Sequence, residues 1–122
     1  MNTIELGQKY VALCKEGKFE QCLQELFSDK AVSVEAWAPP GAERIKSGLP
    51  ALHEKSREWA RDNEVHHAEV VGPFPNDERF AVIFRFEVTH KPSGRRNAME
   101  EVGLFTVENG KITREEFFYN AG

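Results

Sequence analysis

Neither cysteine of this 122-residue chain stands in a metal-ligand or C-x-x-C spacing. Cys14 and Cys22 each fall on an apolar stripe at helical spacing, so buried free thiols and a reducing, cytoplasmic setting are expected. A glycine-rich phosphate loop, a G-x-S-x-G elbow and a kinase signature are all missing, so no cofactor is expected. No helical His-x-x-x-His pair occurs either, and a metal centre is not expected. No apolar run is long enough for a signal segment or a membrane anchor, so the membrane is not an expected partner. Positive charge is in deficit. Sixteen Lys and Arg face 20 Asp and Glu, a net charge of −4, which argues against nucleic acid, whose phosphates require a basic patch. Lys91, Arg95 and Arg96 do cluster, but on a hairpin tip among turn residues, where solvation accounts for them. There is no internal repeat, low-complexity segment or linker, so residues 1–122 read as one domain with a single core.

Phenylalanine is plentiful: nine in 122 residues, enough for a large apolar interior or an apolar cavity. The first half of the chain carries helical periodicity. Asn2 and Glu5 make a capping-box start, followed by an apolar arc from Ile4 to Cys14, and Gly17 stands where a helix ends. Phe19, Cys22, Leu23, Leu26 and Phe27 form the stripe of a second helix that Ser28-Asp29 ends. Residues 31–37 read as a strand, with Val32 and Val34 on one face and Ser33, Glu35 and Trp37 on the other. A loop to Gly48 and a third helix over residues 49–62 follow, with Leu49, Leu52, Ser56, Trp59 and Ala60 as its buried stripe.

The second half reads as four strands: residues 64–71, stopped by Gly72-Pro73, then 79–90, 97–108 and 111–119. Helices followed by a mostly antiparallel sheet make an α+β pattern. Two-residue turns at Ser93-Gly94 and Asn109-Gly110 would fix the register. Val88 then faces Met99, Phe86 faces Glu101, Phe84 faces Gly103 and Val82 faces Phe105. Across the second turn, Phe105 faces Arg114, Gly103 faces Glu116 and Glu101 faces Phe118. The opposite face carries Ile83, Val102, Leu104, Phe117 and Tyr119. Three helices can cover one face only, so a second copy of the chain is expected on this other face.

On the inner face, Glu101 and Glu116 flank Gly103, which is expected to leave a gap beside Phe84 and Phe105. Carboxylates on an apolar wall either find partners or acquire raised pKa values, the property that acid/base catalysis uses. Arg114 can pair with Glu116 or anchor an anion. The first of the four strands offers His66 with Ala68 and Val70, or His67 on the other face; the His66 face is taken as inward. The catalytic candidates are therefore Glu35, His66, Glu101 and Glu116. Trp37, Trp59, Phe84, Phe86, Phe105, Arg114 and Phe118 are the ligand-binding candidates, for a small hydrophobic molecule. If a bulge follows the Asn109-Gly110 turn, Glu115 replaces Glu116 as the inward residue. A binding or dimeric interaction module without chemistry is the alternative, with the polar residues pairing among themselves.

The order of elements, together with Phe27-Ser28-Asp29-Lys30-Ala31-Val32-Ser33-Val34-Glu35, Gly48-Leu49-Pro50-Ala51-Leu52 and the final strand from Gly110 to Tyr119, resembles the SnoaL-like proteins of the nuclear transport factor 2 and ketosteroid isomerase superfamily. The resemblance implies a cone: a strongly curved sheet around helices, with a pocket inside and dimerisation through the outer sheet face. It implies activities from isomerisation and polyketide cyclisation to hydrolysis or plain binding. The isomerases' catalytic aspartate corresponds here to Ala36, and Tyr10 is the nearest match to their tyrosine oxyanion donor.

Overall fold

The computed structural model describes residues 1–120. Helix α1 (Thr3–Lys15) starts at the expected capping box: the Asn2 side chain accepts from the Glu5 N–H, and Glu5 reaches back to the Asn2 N–H. Gly17, at φ 72°, lets the chain turn out of it. Helix α2 (Phe19–Leu26) runs without a loop into strand β1 (Phe27–Val34), so Phe27 opens the strand instead of closing the helix. The segment before Gly48 holds a short strand, β2 (Ile45–Ser47), hairpinned onto β1. Helix α3 (Leu49–Asp62) is tied to the sheet at its start, where the Gly48 N–H donates to the Ala31 carbonyl at 2.9 Å.

Strands β3 (Asn63–Asn76), β4 (Arg79–His90), β5 (Arg95–Glu108) and β6 (Lys111–Phe118) complete a six-stranded sheet of order β2-β1-β6-β5-β4-β3. All neighbours are antiparallel except β1 and β6. The sheet curves without closing around the three helices, giving a cone-shaped α+β fold. Gly72-Pro73 does not stop β3 as expected. It occupies a bulge between Val71 and Phe74, tolerated because β3 is an edge strand that need not donate on both sides.

The inner sheet face and α1 enclose the core. Phe80 and Phe105 stack with centroids 4.9 Å apart, and Tyr10 closes on Phe105 at 4.5 Å. Phe105, expected to line a ligand site, is fully buried in this cluster, as are Leu6 and Ile112. Gly103 is where the expectation of a gap fails. A Cβ there would lie 2.7 Å from a Phe105 ring carbon and 3.1 Å from Phe84, so the two rings already occupy the space.

Register decides the rest. The β4–β5 connection is a four-residue loop, Lys91 to Gly94, which pairs His90 with Arg95. It slides the pairing by two residues relative to the expected turn, so Phe84 lies opposite Glu101, and each side chain keeps its face. The β5–β6 turn is the expected Asn109-Gly110, both at positive φ. Beyond it, Val107 pairs with Ile112 but Thr106 pairs with Arg114, leaving Thr113 as an extra residue on β6. That bulge turns every later β6 side chain to the opposite face.

Candidate functional site

The concave side of the cone is an open cavity of about 1300 Å³. Its walls are aromatic. Trp59 of α3 packs on Phe86 at 5.7 Å between centroids, Phe86 on Phe84 at 6.0 Å, and Phe84 on Phe117 at 6.4 Å. Trp59, Phe84, Phe86 and Glu101 sit on the cavity wall.

The polar groups collect at one end. Ser33 faces inward from β1 and is fully buried. Glu35 follows β1, its backbone fixed by the loop ahead of β2: its N–H donates to the Arg44 carbonyl at 2.8 Å, and the Arg44 guanidinium donates back at 3.1 Å. Lys55 descends from α3 between them. Its ammonium donates to Ser33 Oγ at 2.7 Å and lies 3.1 Å from Glu35 Oε2. The same nitrogen stands 5.1 Å above the Phe117 ring centroid. Tyr119 donates its hydroxyl to Glu35 Oε1 at 3.4 Å. Glu101 from β5 and Glu115 from β6 complete the group.

Two of these carboxyls are held toward the neutral form. Burial raises Glu101 to about 7, with the Glu35 charge adding and Lys55 opposing. Burial likewise raises Glu115, against a hydrogen bond from Ser33 and the Lys55 charge. Burial first, then Glu35, raises the Tyr119 phenol. Tyr10 and Cys14, deeper among the helices, are also pushed up, chiefly by burial. Among the described residues, no group of three or more His, Cys, Asp or Glu side chains is arranged to hold a metal ion.

Several expected residues lie elsewhere. Because of the Thr113 bulge, Glu116, Arg114 and Phe118 are on the outer face, where Arg114 pairs with Glu116 at 3.2 Å and Phe118 is half exposed. Phe117 and Tyr119, expected outside, line the cavity in their place. His66 also points outward. A second bulge, between Val65 and His67, brings Val65 and Ala68 to the inner face and leaves His66 bonded to Thr89 at 2.7 Å. Trp37 is half exposed and meets the site only through its carbonyl, 3.4 Å from the Tyr119 hydroxyl. His53 is set against Glu20 at 3.0 Å, and Arg57 grips the same carboxylate at 3.1 Å. Lys55 escaped the sequence reading although a signal exists: it lies three residues after Leu52 and four before Trp59, on the buried stripe itself. Glu115 takes the inward place that the sequence left open to it if a bulge followed the Asn109-Gly110 turn. Glu115-Glu116 and Phe117-Phe118 are doublets, so either register puts an acid and a ring inside.

The geometry can be set beside known proteins. No functionally curated protein matches this chain significantly by sequence. A crystal structure from Mesorhizobium loti, described as a SnoaL-like polyketide cyclase with carbohydrate phosphatase given beside it, shares 39% identity. The alignment covers 98% of this chain and 100% of that one, at a TM-score of 0.92. An NTF2-like protein from Burkholderia xenovorans shares 17% identity over 97% of this chain and 88% of its own, at 0.75. A protein with a ketosteroid isomerase-like fold from Catenulispora acidiphila, solved in complex with trimethylamine, shares 16% over 93% and 84%, at 0.72. These two show the fold alone. The SnoaL-like domain profile matches residues 1–119, very nearly the full length, and the chain belongs to the SnoaL-like family.

Proposed function

We propose that this protein binds a small hydrophobic metabolite in the cone and moves a proton on it, in the manner of an isomerase or cyclase, with Glu101 as the proton-handling group. One observation carries the reading: a carboxyl whose burial raises it to about 7 stands on a cavity wall shared with Trp59, Phe84 and Phe86, near the operating pH of a general base. In its ionised form Glu101 takes a proton from a carbon next to a carbonyl. The C–H electron pair becomes a C=C bond, and the carbonyl π pair moves to oxygen. Neutral Glu101 then returns the proton to a different carbon. Glu35 and Glu115 set the field around it, and Trp59, Phe84 and Phe86 hold the flat apolar body of the ligand. The relative described as a polyketide cyclase supports this class of chemistry.

The test is hydrogen exchange. Aromatic ketones such as 2-tetralone and 1-indanone are incubated with the protein in D₂O, and loss of the α-proton signal is followed by NMR. The wild type accelerates exchange, and Glu101→Gln loses that acceleration by about 100-fold or more. Equal rates for the two proteins while both bind the ketone refute the assignment.

The outer sheet face supports a homodimer. Ile83, Val102 and Leu104 stand there partly exposed, joined by Phe118 in place of Phe117 and Tyr119. A face of this kind suits a second copy. The free thiols of Cys14 and Cys22, buried with sulfurs 3.9 Å apart and unjoined, suit a cytoplasmic location. A cavity of this size argues against the alternative of a filled, purely structural cone.

A further inference from the structure

We infer that Lys55 is the oxygen-recognising residue of the cavity, and that the ligand presents it with an oxyanion of the enolate or phenolate kind on a planar apolar body. The inference rests on the reading of the cone as a ligand site. An ammonium has three N–H donors. Among the described residues, Lys55 has two oxygen partners, Ser33 Oγ and Glu35 Oε2. Its third donor has no oxygen, and the nitrogen stands over the Phe117 ring on the cavity wall. A structural ion pair on a surface needs no such placement. Here α3 carries the residue on its buried stripe, between Leu52 and Trp59, with the side chain only 25% exposed.

The charges facing Lys55 set the sign of what it can accept. Glu35 follows β1, Glu101 comes from β5, and Glu115 and Tyr119 come from β6. Glu20, on the α2 side, is held by His53 and Arg57. Burial raises both Glu101 and Glu115, and Glu35 is the carboxyl in direct contact with Lys55. A ligand that gives its proton to Glu101 and places its negative oxygen on the free Lys55 donor leaves the total charge of the cavity unchanged. A cationic ligand would meet an ammonium already seated over the ring.

The probe is 4-nitrophenol, whose absorbance separates phenol from phenolate, with 4-nitrotoluene as its neutral isostere. Bound to the wild type, the phenol ionises at a lower pH than it does free in water. Carboxylates alone would shift it the other way, so an upward shift in the wild type overturns the inference without any variant. Lys55→Met weakens phenolate binding by about tenfold or more, the range of a charge-assisted hydrogen bond, and shifts the bound spectrum to the neutral phenol. It leaves 4-nitrotoluene binding within about threefold of the wild type, which also confirms that the variant is folded. Equal phenolate binding by the variant and the wild type removes Lys55 while the cavity reading stands. If the wild type binds neither compound, the cavity reading fails and this inference falls with it.

Discussion

Glu101→Gln makes a sharp test because the sign of its effect reverses intuition: removing a charged residue should stabilise the protein, increasingly as the pH climbs from about 4.5 through about 7. The carboxyl goes from an ordinary 4.5 to about 7 on folding. A raised acid contributes its full stability below the unfolded value and loses it as pH climbs through the folded one. Above about pH 7, burying the ionised form therefore costs about 3 kcal/mol, since each pKa unit corresponds to roughly 1.4 kcal/mol. Glutamine keeps the shape and removes the titration. Between about pH 5.5 and about pH 8, the stability of Glu101→Gln relative to the wild type should therefore rise by about 2 kcal/mol. Glu115 moves the same way in both proteins, and its charge is the last of the causes that act on Glu101. Urea denaturation at the two pH values reads the change as a relative midpoint shift of about 1 M. A difference that stays flat across the window, or falls, would mean that Glu101 is not desolvated, and the proton-transfer reading would lose its base.

Gly103→Ala should lower stability by about 1–3 kcal/mol at all pH values, because its methyl would collide with the Phe105 ring; an unchanged urea midpoint would show that the rings yield. Phe105→Ala should cost about 3–5 kcal/mol, as a core truncation does, which calorimetry would register as a large fall in Tm. The neighbouring acids should separate by face: Glu116→Gln changes stability by less than about 0.5 kcal/mol, whereas Glu115→Gln flattens the pH dependence of the urea midpoint. Sedimentation should find a dimer at micromolar concentration, and Leu104→Arg should shift it to monomer; a wild-type monomer would contradict the outer-face pairing.

The sequence made the architecture legible because its periodicities are local. The capping box at Asn2, the α3 stripe and the Asn109-Gly110 turn each dictate structure within a few residues. The inner face of β4 and β5 was legible for the same reason: a two-residue slip preserves the alternation, so Glu101 stayed inside although its partner changed from Phe86 to Phe84. Bulges defeated the reading of β3 and β6. Each inserts a single residue into the pairing, of β3 with β4 and of β6 with β5. Thr113 and His66 have nothing in their side chains that announces such a role. Lys55 shows a different limit: a charged residue reads as solvent-facing, whereas a long lysine stem is at home along an apolar stripe.

An unclosed sheet has two rims, and here they are unequal. On one side lies β2, only three residues long; on the other lies β3, interrupted by two bulges and carrying Pro73 and Pro75. Short or proline-studded margins are poor templates for strand addition. Copies of this chain that meet in a crowded solution are thereby discouraged from zipping side to side into fibres.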